Sequence, residues 1–199
     1  MPEQAKLKVF GKRETRSLGL DLAGSENRPT GFCMLEGMRA EASTVRAGDE
    51  ILARISKVKP EVVAVDAPLS LPEGRKSIEQ RTSVHLRECD RELQRRGIKF
   101  FPVTLGPMRT LTARGMRLKK ALEGQFQVIE VYPGGAQDVL GIPRKQKGFE
   151  NLRKGLERLG IEGLNCGMND HELFARQLAF HRNVLQVGEA GLEPAISIL

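Results

Sequence analysis

The chain has 199 residues, 40% of them hydrophobic, which suits one compact domain with a core of its own. No apolar run approaches the roughly 20 residues that span a bilayer, and the charged segment MPEQAKLKVFGKRETR has no apolar signal region, so neither a membrane protein nor a secreted one is expected. The three cysteines, Cys33, Cys89 and Cys166, are odd in number and far apart, which argues against a disulfide framework or a zinc knuckle and for a reducing, cytoplasmic setting; the net charge of +7 invites polyanions without requiring them.

In chain order, a basic arm over 1–16 precedes a single domain over 17–199. Ser17–Leu22 (SLGLDL) reads as a strand with Leu18, Leu20 and Leu22 on one face and Asp21 turned the other way. The turn-rich stretch Ala23–Thr30 joins it to a second strand, Gly31–Leu35, as a hairpin, and Ala40–Val45 is a weaker third strand. Ala47–Val58 has helical spacing of Ile51, Leu52, Ile55 and Val58, and Pro60 stops it. Val62–Asp66 (VVAVD) is the nearly continuous apolar run of a strand buried on both faces. Ser77–Arg96 is the longest predicted helix, with Ile78, Thr82, Leu86, Cys89 and Leu93 on one stripe and Gly97 beyond its end. A basic helix over Arg109–Glu123, a strand over Val128–Tyr132 and helices over Gly135–Leu140, Phe149–Leu159 and Asp170–Val184 follow. The order predicts an α/β fold, a mixed sheet flanked by helices.

Three carboxylates stand inside or at the end of runs that otherwise read as buried strand: Asp21 in LGLDLAG, Asp66 in VVAVDAP and Glu130 in VIEVYP. An ionised carboxylate there costs several kcal/mol unless it is paired, hydrogen-bonded or metal-bound. Neighbouring strands lie about 4.8 Å apart, so acids on adjacent strands can meet. Hard divalent cations such as Mg²⁺ and Mn²⁺ take oxygen ligands, and two of them about 3.5–4 Å apart can activate a water and stabilise the leaving oxygen of a phosphodiester. Each acid also has a plainer reading. Asp21 could cap the turn after it, Asp66 could bond loop amides, and Glu130 could pair with a helix arginine; Arg87 or Arg91 could neutralise all three together.

The segments GLDLAGS, VAVDAPLSLP, RECDRELQRRGIKFFP, MRTLT and VIEVYPGGAQDVLGIPRK, in this order from about Leu18 to Glu172, resemble the domain-of-unknown-function 429 family, described as predicted nucleases of ribonuclease H-like fold. The resemblance implies a ribonuclease H-like mixed sheet flanked by helices, with Asp21 on the first strand, Asp66 on the fourth and Glu130 on the strand after the arginine-bearing helix. It further implies that these acids hold Mg²⁺ or Mn²⁺. The family's acidic helix start, resembling HELDA, reads here Asp170-His171-Glu172-Leu173-Phe174-Ala175, so Phe174 replaces the expected aspartate. Asp170, four residues earlier on the same helical face, or Glu172 would then complete the set.

Arg87 and Arg91, from the matched RECDRE segment, are candidates to grip a substrate phosphate, although Glu88 with Arg91 and Glu92 with Arg95 also have the spacing of ordinary helix pairs. His85 reads as structural, and His171 as a possible base or ligand. The basic sets Arg109–Lys120 and Arg144–Lys147 could follow a phosphate backbone. Base stacking has little support, because the chain has one tyrosine, no tryptophan and phenylalanines that mostly sit in apolar runs. The leading expectation is a metal-dependent hydrolase cutting DNA or RNA, with Asp21, Asp66, Glu130 and Asp170 as metal ligands. The rivals are a nucleic-acid-binding module with a degenerate metal site and an actin-like phosphotransferase or ATPase.

Overall fold

The computed structural model describes residues 16–144 and 147–162. Residues 1–15 of the arm expected over 1–16 and the helix expected over 170–184, with Asp170, His171, Glu172 and Phe174, lie outside the described residues, while Arg16 opens the first strand. Five strands, β1 (Arg16–Asp21), β2 (Thr30–Glu36), β3 (Arg39–Val45), β4 (Val62–Val65) and β5 (Gln127–Glu130), form one mixed sheet in the order β3-β2-β1-β4-β5. The β1–β2 and β2–β3 pairs are antiparallel, while β1–β4 and β4–β5 are parallel. Among the described residues five helices accompany them: α1 (Gly48–Val58), α2 (Glu88–Arg95), α3 (Gly106–Leu122), α4 (Pro133–Leu140) and α5 (Phe149–Arg158). No helix among the described residues is long and apolar enough to cross a membrane.

The two-residue period of the strands sorts their side chains between two cores. Leu18, Leu20, Phe32, Val63 and Val65 pack with Ile51 and Ile55 of α1 and Leu118 and Leu122 of α3. On the other face Cys33, Leu35 and Ala40 meet Ile142 and, from α5, Leu152 and Leu156. The sheet is therefore covered on both sides, and the predicted mixed α/β architecture holds. Apart from α2, element ends differ from the expected ones by up to three residues. The largest of these differences is α3, which starts at Gly106 because Pro107 in its first turn needs no donor there.

The predicted long helix over Ser77–Arg96 is the main correction. Only Glu88–Arg95 is helical. Arg75, 8% exposed, explains the rest. Its Nε–H donates to the Ser77 carbonyl, its Nη1 to Thr82 Oγ1 and the Val84 carbonyl, and its Nη2 to the carbonyls of Ile78 and Gln80. Those carbonyls are the acceptors that a helix over this stretch would have used for its own N–H groups, so the chain wraps around a cation instead. Arg75→Leu should lower unfolding free energy by about 2–3 kcal/mol in urea titrations. It should also open residues 76–84 to limited proteolysis while cleavage elsewhere stays unchanged.

Candidate active site

The parallel ladder between β1 and β4 runs to Leu20↔Val65, and the Asp66 N–H donates to the Leu20 carbonyl at 2.9 Å. Asp21 and Asp66 each stand one residue beyond that pair, so the ends of two adjacent strands bring them side by side. Both are half-buried. Asp21 is the last residue of β1, opposite Gly31 of β2, and the chain turns away directly after it.

Glu130 has a different environment. It is in register with Val65, which is in register with Leu20, so alternation puts Glu130 and Asp21 on opposite faces of the sheet. Its side chain is 9% exposed and meets Arg87, with Nη1 donating to Oε2 at 2.7 Å and Nη2 to Oε1 at 2.8 Å. Arg87 also donates through Nε and Nη2 to Asp90, whose carboxylate in turn accepts the Arg87 backbone N–H at 2.9 Å and starts α2. Burial works against the Arg87 charge, but the hydrogen bonds to Asp90 and Glu130, with their Coulomb attraction, outweigh it and hold the guanidinium above its ordinary value. Glu130 Oε2 accepts a further bond, from the Leu69 N–H at 2.8 Å. That bond ties the loop after Asp66 to β5. Among the described residues, no three His, Cys, Asp or Glu side chains form a group that could hold a metal ion.

Arg87, expected as a phosphate grip, is engaged by Asp90 and Glu130. At 7% exposure, with its N–H groups given to two carboxylates, Arg87 is a buried brace. Arg91 is exposed and pairs with Glu88 at 3.3 Å, and Arg95 pairs with Glu92, as the i,i+3 spacing allows. His85 lies on a loop, where its Nδ1 meets Thr104 Oγ1 at 2.9 Å. The cations of α3 do not form one phosphate track. Arg109 pairs with Glu79, Arg114 is 5% exposed, and the exposed Arg117, Lys119 and Lys120 lie toward the end of α3 that leads into the start of β5, away from the acids. Cys89, beside the brace, is pushed up to about 12, chiefly by burial, and stays a thiol. One residue escaped the sequence reading. Phe101, in the loop before α3, is 67% exposed rather than part of an apolar run. The only local signal was its place in Phe100-Phe101-Pro102, since the residue before a proline favours extended backbone, which turns adjacent rings to opposite sides.

Residues 19–165 match the model of a family described as protein of unknown function, DUF429. The chain belongs to this family. A comparison with curated proteins found no match. Among solved structures the chain is similar to T. thermophilus RuvC in complex with a Holliday junction substrate, with 16% identity, 93% of this chain and 99% of that chain covered, and a TM-score of 0.52. A second Thermus thermophilus RuvC structure matches at 12% identity over 87% of this chain and 97% of that one, with a TM-score of 0.47. The fold is ribonuclease H-like. Within this DUF429 chain the acids of GLDLAGS and VAVDAPLSLP are the two that lie side by side, and the acid of VIEVYPGG is the one that Arg87 takes. Arg87→Met, which strands two buried carboxylates, should lower unfolding free energy by about 3–5 kcal/mol by chemical denaturation. Glu130→Gln, which keeps an acceptor for Leu69, should lose clearly less.

Proposed function

We propose that the protein is a metal-dependent nuclease that hydrolyses phosphodiesters of nucleic acid. The observation that carries this reading is the juxtaposition of Asp21 and Asp66 at the ends of β1 and β4, clamped by the Asp66 N–H bond to Leu20. Two half-buried carboxylates at one sheet edge supply hard oxygen donors of the kind that Mg²⁺ and Mn²⁺ take, so the donor chemistry fits as far as the described residues extend. Asp170 and Glu172, outside the described residues, are the candidates to complete the set. Glu130, bound to Arg87 and Leu69, is assigned to bracing the loop after Asp66 rather than to the cation. When bound, the cations would offset charge on the phosphodiester and lower the barrier to hydrolysis. The chain's own part is to hold Asp21 and Asp66 side by side and fixed in place while substrate docks.

Family membership and the ribonuclease H-like fold support the reading, as does the Holliday junction complex of the RuvC neighbour. The net charge of +7 suits a polyanionic substrate. A second reading, a nucleic-acid-binding module without turnover, draws on the engagement of Glu130 by Arg87, which leaves two acids rather than three at the sheet edge among the described residues.

Purified protein with Mn²⁺ or Mg²⁺ should cleave single-stranded, duplex or branched DNA or RNA in a panel assay. Asp66→Asn and Asp21→Asn should each abolish cleavage while leaving circular dichroism and the melting temperature near wild type. Cleavage that survives Asp66→Asn sinks the catalytic assignment, and salt-sensitive binding without any cleavage selects the second reading. Phe101, exposed near the entry to α3, should lend a stacking surface to unpaired bases. Phe101→Ala should weaken binding of a single-stranded oligonucleotide by about 1–3 kcal/mol in fluorescence anisotropy and leave thermal stability unchanged.

A further inference from the structure

Two neighbouring residues of α3 touch the two chain segments that follow the paired acids. Arg114 is buried, and its Nη1 donates to the carbonyls of Ala23 at 2.6 Å and Ser25 at 3.0 Å, two and four residues after Asp21, and to Thr30 Oγ1 at 3.5 Å. Thr30 Oγ1 in turn accepts the Ala23 N–H at 3.1 Å, and Nη2 of Arg114 reaches the Arg46 carbonyl at 3.0 Å. No carboxylate is hydrogen-bonded to this guanidinium among the described residues. Burial draws its pKa below the ordinary value, with only the charges of Glu26 and Arg117 adding smaller and opposite effects. A cation held in this way by carbonyls and one hydroxyl is a costly feature whose clearest product is a fixed turn after Asp21.

Gly115 is the next residue. A Cβ there would lie 2.8 Å from the Pro68 carbonyl oxygen, 3.0 Å from Ala67 Cβ and 3.2 Å from Leu69 Cδ2. These residues are one to three positions after Asp66, and two of the three atoms are backbone or first side-chain atoms that cannot swing aside. The same loop is also held by the Leu69 N–H bond to Glu130. Any side chain at 115 must therefore move α3 or the 67–69 loop by several tenths of an ångström.

We infer that the Arg114–Gly115 pair of α3 positions Asp21 relative to Asp66 and so sets the ability of the two acids to share one divalent cation. The inference deepens the nuclease reading and rests on its assignment of these acids to a cation. Arg114 draws the segment after Asp21 toward α3, and Gly115 lets the segment after Asp66 approach the same helix. One rigid rod thus gauges both loops. Both residues are positioning residues, since neither touches the cation or the substrate.

The test uses the full chain as wild type, Gly115→Ala, Arg114→Lys and Leu122→Ala. Leu122 is a buried residue at the last position of α3, well beyond Gly115, and serves as a control for lost stability. Mn²⁺ alone is the probe, its binding followed by electron paramagnetic resonance and calorimetry, and crystal structures give the Cα separation of residues 21 and 66. Gly115→Ala and Arg114→Lys should bind Mn²⁺ about 10- to 100-fold more weakly, with an altered separation, whereas Leu122→Ala should melt earlier and bind like wild type. Wild-type affinity in both α3 variants, or an equal loss in Leu122→Ala, overturns the inference. If the wild type itself binds no Mn²⁺, the cation reading falls. The separations then decide the positioning claim: altered in Gly115→Ala they uphold it, and unchanged they overturn it.

Discussion

One guanidinium facing two carboxylates in a nearly dry corner allows β5, α2 and the loop after β4 to close on one another. Glu130 could not end a strand at 9% side-chain exposure as a lone anion, and Asp90 is buried more deeply, at 2%. Arg87 meets both with its planar fork, the geometry that carboxylates match with two parallel bonds each. The formal sum of the three groups is one negative charge, and the two backbone donors that reach the cluster, from Leu69 and Arg87 itself, help to disperse it. Removing the cation would leave two desolvated anions facing each other. The position of α2 and the path of residues 66–69 therefore depend on this contact more than on the helix's own amphipathicity.

Arg75 and Arg114 apply the same chemistry with carbonyls in place of carboxylates. Buried irregular backbone leaves carbonyl oxygens without N–H partners, and such groups must be satisfied. A guanidinium, with several donors in one plane, can serve a whole loop from one side chain. Arg75 organises residues 77–84, and Arg114 organises the turn after β1 together with Arg46. The consequence for function is direct. The arginines that sequence spacing would offer to a phosphate backbone are partly consumed in building the loops, so the basic composition overstates the donors available to a ligand at the acidic edge.

Most of the fold was legible from periodicity. The runs LGLDL, GFCML and VVAVD alternate or fill as strands that pack on one or both faces, and their strands lie within a residue or two of the expected ends. The helix over Ser77–Arg96 was misread because an apolar stripe records which residues are buried, not which groups hold the backbone. The controlling residue, Arg75, lies outside the stripe. At the site, the strand-end position of Asp21 and Asp66 was readable, and the fate of Glu130 was not. In VIEVY the alternation says that Glu130 shares a face with Val128, but only the β4–β5 register, fixed through the long α2–α3 crossover, reveals that this is the face of Val65 and Leu20. Pairing with a helix arginine was among the alternatives that residue spacing left open, and it is the one the geometry selects.

On the nuclease reading, the donor supply constrains the mechanism. Mg²⁺ keeps several waters and is commonly held by one or two carboxylates together with substrate phosphate oxygens. Asp21 and Asp66 therefore suffice for one such cation once substrate is present. A second cation needs a further acid. Recruiting Glu130 would forfeit two charge-assisted bonds from Arg87 and the bond that steadies the loop after Asp66, loosening one proposed ligand in order to gain another. A carboxylate delivered from beyond residue 162 carries no such penalty. The buried brace and the catalytic pair are thus mutually exclusive uses of Glu130, and the sheet edge works better with Glu130 left in the brace.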